Sequence, residues 1–570
     1  MQRDFQERAW STDIQDVVIV YPFTYVNPFQ SLPPIAAEYL QAGAVEAGCK
    51  TTLLDMRFES DIRAHLERAD MVCIYGYFED CSIFGKWDIH VIAEVLEQIP
   101  DGTPVVAGGT GFSIPEEAME TYPRVDVVMR GIPDSPIREL LAAGSPEKVD
   151  NLTYRANGEV VTNPRAVRPL SNDVYPRRHL RNPRYVYQAL GVPVDLVRGA
   201  VGCNYRCKFC YEYGKDTDGS YLRWQTRSAE SHANELGEIE APLILWIDDD
   251  MTTDMDNLDR MADLIIERGI QKVMIGTGRI DHVIAHDVST LHKLERAGLF
   301  AIAIGVESLK DETLKFYKKA QKVSQVQQAM GMISETNIHI VCNFLLGSPG
   351  DTADDMLEFL YFARRFDVDT IVTNRLKIRE DTDLFHMTYD EQGRERPGLE
   401  RVQGEELARI KAQIKFGQRT PFRIALTILK MFRHRGLFLD PMYLFCCFLE
   451  TATRYTWIEK TRLVPIVLWI PKRIALLGVY RSFTRLVARV LTPPVRGLNW
   501  LFEALDRRVN LSTKVMPRIF GTYSKIQRKQ KARAQNDPTV AARLSREVEL
   551  LPVAPPATVE SPEREPAHRA

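Results

Sequence analysis

From residue 14 to about residue 150 the chain alternates short apolar runs with stretches of helical periodicity, the pattern of a parallel α/β sheet. Asp16–Tyr21, Thr51–Met56, Met71–Gly76, Pro104–Gly109 and Val125–Gly131 read as five buried strands. Pro33 and Pro34 open an alanine-rich helix that stops near Gly48, and a second helix runs through Pro136–Leu141. The alternation resumes between about residues 185 and 400 with Pro193–Arg198, Ile244–Asp249, Lys272–Gly276, Phe300–Gly305, Ile338–Leu346 and Thr370–Thr373. Ile244–Asp249 is apolar and ends in acids, as a buried parallel strand does when its carboxyl end faces an active site. From Gly404 to about residue 530 the pattern is helical, with clusters such as Met442–Leu449 and Leu463–Pro471 punctuated by arginine and lysine. Residues 531–570 are charged and then rich in Pro, Ala and Glu, a composition that predicts disorder.

Five strands separated by helices make residues 14–150 a flavodoxin-like domain, whose ligands lie beyond the carboxyl ends of the strands. Residues 185–400 form a second α/β domain and residues 404–530 a helical third. The 570 residues are enough for such a division.

Charge adds one feature. The net charge is −3, yet residues 421–530 hold 20 basic and 5 acidic side chains, so the remainder carries −18. A segregated basic block points to an anionic partner. Its helical clusters never sustain an apolar run of ~18 residues, so a spanning helix is not expected. Apolar faces flanked by Arg473, Arg481, Arg485 and Arg489 suit helices lying in an anionic membrane surface; the alternative is a set of helices covering the second domain. The first fifteen residues are polar and mixed in charge, with no secretory leader, and nine unevenly spread cysteines suit a reducing cytosol. The expected location is cytoplasmic, peripheral at the membrane face.

The chemistry concentrates in Cys203-Asn-Tyr-Arg-Cys207-Lys-Phe-Cys210. Three thiolates at C-x3-C-x2-C spacing, with no fourth nearby, hold three corners of a four-iron cluster and leave one iron open to a ligand. Structural zinc normally takes four ligands in two spaced pairs, and here the nearest histidines are His179 and His232 and the nearest other cysteines Cys81 and Cys342, both far along the chain. Cys446 and Cys447 read as small apolar residues.

That run resembles the signature loop of the radical S-adenosylmethionine (SAM) superfamily. The resemblance implies a [4Fe-4S] cluster on Cys203, Cys207 and Cys210 whose open iron chelates SAM, with Phe209 packing near the adenine. It also implies a partial (β/α)6 barrel over residues 185–400. Gly305-Val-Glu-Ser308, with Leu314 and Lys318-Lys319, looks like the motif whose glutamate, here Glu307, bonds the ribose hydroxyls. Arg279 matches a basic residue near the SAM carboxylate, Asp248, Asp249 and Asp250 the acidic end of the second strand, and Gly347-Ser-Pro-Gly350-Asp351 a turn bordering the adenine pocket. Read locally, Asp248–Asp250 are also candidate helix-capping acids. The first domain is similar to the cobalamin-binding module that precedes many such barrels, with Gly108, Gly109, Thr110, Gly111 and Ser113 allowing close approach of the corrin or its nucleotide tail. The loop Tyr21–Phe29 lacks the histidine that serves as lower axial ligand in other cobalamin modules, so cobalamin is expected base-off. One departure stands out: Arg375–Asp383 replaces a proline-rich turn common in relatives.

The combined resemblance, over residues 14–390, implies a cobalamin-dependent radical SAM enzyme that methylates an unactivated carbon. One SAM supplies the methyl group by way of cobalamin; a second yields the 5′-deoxyadenosyl radical that abstracts substrate hydrogen. Such chemistry needs a water-excluding cavity and a reducing electron donor. The apolar, basic C-terminal region suggests a hydrophobic small-molecule substrate (lipid, isoprenoid or tetrapyrrole). Rival readings are ring formation or carbon–carbon coupling without net methyl transfer, and a non-catalytic iron–sulfur sensor with a basic arm for nucleic acid, against which Glu307 and Arg279 argue. A methylthio-transferring enzyme would need a second cysteine triplet, which Cys49, Cys73 and Cys81 do not form.

Overall fold

The computed structural model describes residues 13–24, 30–76, 89–109, 112, 115–156, 158–210, 224–378, 382–434, 436, 443–444, 446–447 and 478–509. Ser113, residues 531–570, the Leu463–Pro471 cluster and most of Met442–Leu449 lie outside them.

In the first sheet the strands are β1 (Asp16–Tyr21), β3 (Lys50–Asp55), β4 (Met71–Tyr75), β5 (Val105–Gly108), β6 (Val127–Met129), β7 (Leu152–Ala156) and β8 (Glu159–Thr162); the two-residue β2 (Gln30–Ser31) leaves it for the other sheet. The order is β3-β1-β4-β5-β6-β7-β8, with parallel pairing as far as β6 and antiparallel pairing from β6 to β8. Its five parallel strands thus follow the flavodoxin order, whose switch point lies between β1 and β4. Alternation explains the two-sided burial. Val18, Val20, Val72 and Ile74 pack into one apolar cluster, and Val17, Ile19, Met71 and Cys73 into another on the opposite face. The sheet also runs past the expected boundary at residue 150, because the β7–β8 hairpin closes its edge.

The second sheet takes β9 (Gln188–Ala189), β10 (Val192–Val197), β13 (Leu243–Trp246), β14 (Val273–Gly278), β15 (Leu299–Glu307), β16 (His339–Leu346) and β17 (Thr370–Arg375); β11 (Ala200–Val201) and β12 (Gln225–Thr226) form a separate ribbon. β10 and β13–β17 are six parallel neighbours, while β9 and then β2 add antiparallel strands beyond β10. Outward residues such as Ile302, Ile304, Ile340 and Cys342 are buried under the flanking helices. The inward row is small or polar: Thr277 pairs with Ala303 and Ala303 with Val341, and Gly305 pairs with Asn343. These positions are only half-buried, so among the described residues the inward face of the sheet is less tightly packed than the outward one.

Buried ions join the two sheets. Arg181 donates to both carboxylate oxygens of Glu38 at 2.7 and 2.8 Å and to both of Asp195 at 2.7 and 2.9 Å. Arg178 bridges Asp195 at 2.9 Å and Glu235 at 2.7 Å. Burial pushes the Asp195 carboxyl up, but Arg181 and Arg178 hold it below the usual range.

The basic C-terminal segment divides in two. In the helices Gly404–Gly417 and Pro421–Arg433, Leu407, Ile410 and Ile414 enter the barrel core, Arg423 donates to the carbonyls of Ala363 and Val368, and Lys430 pairs with Asp369 at 2.7 Å. Part of the local positive charge therefore holds helices to the barrel, as the covering alternative expects. The Gly478–Val509 helix differs: Ala488, Thr492, Asn499, Glu503 and Asp506 are its buried positions among the described side chains, while Phe483, Leu486, Val490, Leu498 and Leu501 are exposed. No helix among the described residues is long and apolar enough to cross a membrane.

Candidate active site

β10 delivers the chain to the cysteine loop, and its exit is crowded. A Cβ on Gly199 would lie 2.5 Å from the Trp246 ring and 2.9 Å from His232 Nε2, so only glycine fits. The Gly199 amide donates to Asp248 Oδ1 at 2.7 Å. Burial drives the Asp248 carboxyl up to about 7, against the pull of the Ala200 and Gly199 amides. Asp248 therefore anchors the strand that feeds the loop. Its neighbour Asp250 is the capping acid of the group, accepting from the Thr252 amide at 3.0 Å.

β11 and β12 pinch the base of the loop. Gly202 adopts φ +76, and the Cys210 amide closes a turn onto the Cys207 carbonyl at 3.0 Å. None of the three thiols is in a disulfide and all are half-buried, and burial pushes Cys203 up while the Tyr205 amide and Arg279 oppose it. Among the described residues no three Cys, His, Asp or Glu side chains converge on a point, as a mononuclear metal would require. Three thiols spread along one loop fit the separate corners of a four-iron cluster instead.

Tyr205 is the loop's brace. Its ring lies 3.5 Å from the Arg279 guanidinium carbon, and its hydroxyl bonds the Asp281 carboxylate and His282 Nε2, the latter at 3.1 Å. Arg279 also donates to Asp281 Oδ1 at 3.1 Å and to the Lys319 carbonyl at 2.9 Å. Lys319 in turn reaches Glu307 Oε1 at 3.2 Å and stands 5.9 Å over the Phe209 ring, which packs edge-on to Tyr317 at 5.1 Å. Cys203–Cys210, Arg279, Glu307 and Phe209 are thus brought together at one end of the barrel. Glu307 sits at φ +66 in a bulge between β15 and β16, a strained conformation of the kind concentrated at functional sites. Tyr205 and Asp281 were not singled out from sequence; the only signal was an aromatic residue inside the cysteine run.

In the first sheet Gly108 ends β5 and Gly109 follows it. A Cβ on Gly109, at φ +96, would meet the Gly76 carbonyl oxygen at 1.9 Å, so the glycine is required by the chain's own packing at the carboxyl edge. Arg198, just past the first barrel strand, reaches that edge, opposing the rise that burial imposes on the Tyr75 hydroxyl at the end of β4. Tyr39 of the Ile35–Glu46 helix donates to the Arg198 carbonyl at 3.3 Å, and the Arg198 guanidinium lies 3.7 Å over the Tyr39 ring. Arg198 Nε and Nη2 and Asp134 Oδ1 are buried without hydrogen-bond partners. Orphaned polar atoms at a glycine-lined carboxyl edge fit a polar, amide-bearing cofactor such as cobalamin.

Comparison with known proteins matches residues 197–363 to the radical SAM superfamily. The chain carries a radical SAM domain. It is similar to a methyltransferase of uncharacterised role from Pyrococcus horikoshii, 26% identical over 360 residues that cover 59% of this chain and 74% of the relative. An anaerobic magnesium-protoporphyrin IX monomethyl ester cyclase from Synechocystis is 23% identical, covering 61% and 71%. The solved radical SAM methyltransferase TsrM from Kitasatospora setae, with cobalamin and a [4Fe-4S] cluster bound, superposes with a TM-score of 0.58 at 16% identity, covering 81% of this chain and all of that one. The fold is that of the cobalamin-dependent radical SAM enzymes, and the chain is a radical SAM enzyme.

Proposed function

We propose that this enzyme uses a [4Fe-4S] cluster, SAM and cobalamin to methylate an unactivated carbon of a hydrophobic small molecule. The observation that carries the reading is the Arg198–Tyr39 contact. It sets the Ile35–Glu46 helix of the flavodoxin-like domain against the chain that enters the cysteine loop five residues later. When bound, the cluster supplies the electron that cleaves SAM, and cobalamin carries the methyl group. Cys203, Cys207 and Cys210 would hold the cluster, Glu307 the ribose hydroxyls and Phe209 the adenine side. Arg279 positions the loop through Tyr205, and Asp248 positions the strand that leads into it. The row Thr277, Ala303, Val341, Gly305 and Asn343 leaves room for substrate inside the barrel.

A tetrapyrrole, isoprenoid or lipid substrate suits the exposed apolar stripe of the Gly478–Val509 helix. Phe483, Leu486, Val490, Leu498 and Leu501 recur at helical spacing away from the buried Ala488, Thr492 and Asn499. With the exposed Arg489 beside it, this helix fits the surface of an anionic membrane from which such a substrate is drawn. The cyclase relative favours a second reading, ring formation on a tetrapyrrole without net methyl transfer. Product mass separates the two. Incubation of the reconstituted enzyme with SAM and candidate tetrapyrroles gives a product heavier by one methylene unit if the first reading holds, and no such gain if the second does.

A further inference from the structure

The proposed function does not explain the two orphaned groups at the junction of the sheets. Arg198 follows directly on the first barrel strand, and Asp134 opens the Asp134–Ala143 helix behind β6. Asp134 is 8% exposed and its Oδ1 has no hydrogen-bond partner; Arg198 Nε and Nη2 have none either. One helix sets both in place. Tyr39 of the Ile35–Glu46 helix lies under the Arg198 guanidinium, and Gly43, one turn on, is so close to Asp134 that a Cβ there would meet the Asp134 carbonyl oxygen at 2.3 Å. The two charges feel each other, since Arg198 opposes the rise that burial imposes on the Asp134 carboxyl. They do not bond each other.

An unpaired buried donor next to an unpaired buried acceptor costs stability unless something satisfies both. Water can serve either, but one group answers both at once: a primary carboxamide, whose carbonyl accepts from guanidinium and whose NH2 donates to carboxylate. A carboxylate ligand would satisfy Arg198 and be repelled by Asp134; an ammonium would do the reverse. The corrin of cobalamin is fringed with acetamide and propionamide groups. We propose that Arg198 and Asp134 together clasp one corrin side-chain carboxamide, fixing the ring across the junction between its own domain and the barrel. The inference rests on the cobalamin reading above and assigns it a specific recognition pair. Both are positioning residues, with no part in bond making.

The test is absorbance-monitored titration of the full chain, purified anaerobically, with hydroxocobalamin and with its monocarboxylic derivatives, in each of which one side-chain amide is hydrolysed. Arg198→Gln and Asp134→Ala are each expected to weaken hydroxocobalamin about tenfold or more. The double variant should be little worse than either single one, because both act on the same amide. One monocarboxylic isomer should bind wild type about tenfold more weakly than hydroxocobalamin, and Asp134→Ala should close that gap by removing the repulsion. This ligand comparison is internal to each protein, so a partly destabilised variant still reports. Wild-type affinity in both single variants, or a gap unchanged in Asp134→Ala, overturns the inference while leaving the cobalamin reading intact. Failure of the wild type to bind any corrin overturns both.

Discussion

The Arg279 guanidinium lies 3.5 Å from the centre of the Tyr205 ring, so the exit of the third barrel strand clamps the middle of the cysteine loop. Arg279 is 6% exposed, and a stacked cation so enclosed contributes about 2 kcal/mol. Tyr205→Phe keeps the stack and loses the bonds to Asp281 and His282, for about 1–2 kcal/mol. The expected order of iron retained per chain after reconstitution is wild type, then Tyr205→Phe, then Tyr205→Ala well below both. Equal retention by Tyr205→Ala would show that the clamp does not set the loop.

Gly109→Ala places a methyl group 1.9 Å from the Gly76 carbonyl at φ +96, and should cost about 3 kcal/mol or more. Gly158, at φ +81 with nothing within 4 Å of its virtual Cβ, provides the comparison: Gly158→Ala carries only the backbone penalty, about 1 kcal/mol. Thermal unfolding of the two variants measures the difference.

Arg181 serves two buried carboxylates at once. Arg181→Ala strands Glu38 and leaves Asp195 to Arg178 alone, both carboxylates being 2% exposed, and should destabilise the chain by about 3 kcal/mol. Denaturant titration checks this; a loss below about 1 kcal/mol would mean that water replaces the arginine.

Asp248 gives the chain a pH signature. Its folded pKa of about 7 lies above the ordinary aspartate value, so the stability of its neutral form is intact below pH ~4 and is lost as the pH rises through 7. Asparagine accepts the Gly199 bond without titrating. The stability of Asp248→Asn relative to wild type should therefore grow between pH ~4 and 7, with a limit on the order of 4 kcal/mol. A difference independent of pH would contradict the assignment.

The apolar stripe predicts a surface effect separate from folding. Leu486 and Leu501 are 60% and 57% exposed, so Leu486→Glu with Leu501→Glu should leave the melting temperature unchanged. Co-sedimentation with anionic vesicles should fall several-fold.

The parallel strands were legible because strands buried on both faces are continuous apolar runs. Gln30–Ser31 and Gln188–Ala189 were not: two-residue strands of mixed polarity carry no period, and only the partner sheet makes them strands. In the site, the cysteine spacing announced the cluster, whereas the clamp joins Tyr205 to Asp281, 76 residues away, and local pattern cannot report such pairing. Asp248 was read as part of the acidic end of the second barrel strand; its bond from the Gly199 amide, 49 positions earlier, is likewise a contact that local pattern cannot report. Lys430 and Arg423 counted toward a basic surface, yet burial against the barrel consumes them.

The most direct test of the central claim is anaerobic reconstitution with iron, sulfide and hydroxocobalamin, followed by assay of bound corrin and of 5′-deoxyadenosine released from SAM. The account predicts retained corrin and SAM cleavage in the wild type, with cleavage abolished in Cys203→Ala. Cleavage without retained corrin would contradict the cobalamin half of the account, and cleavage that survives Cys203→Ala would contradict the cluster assignment.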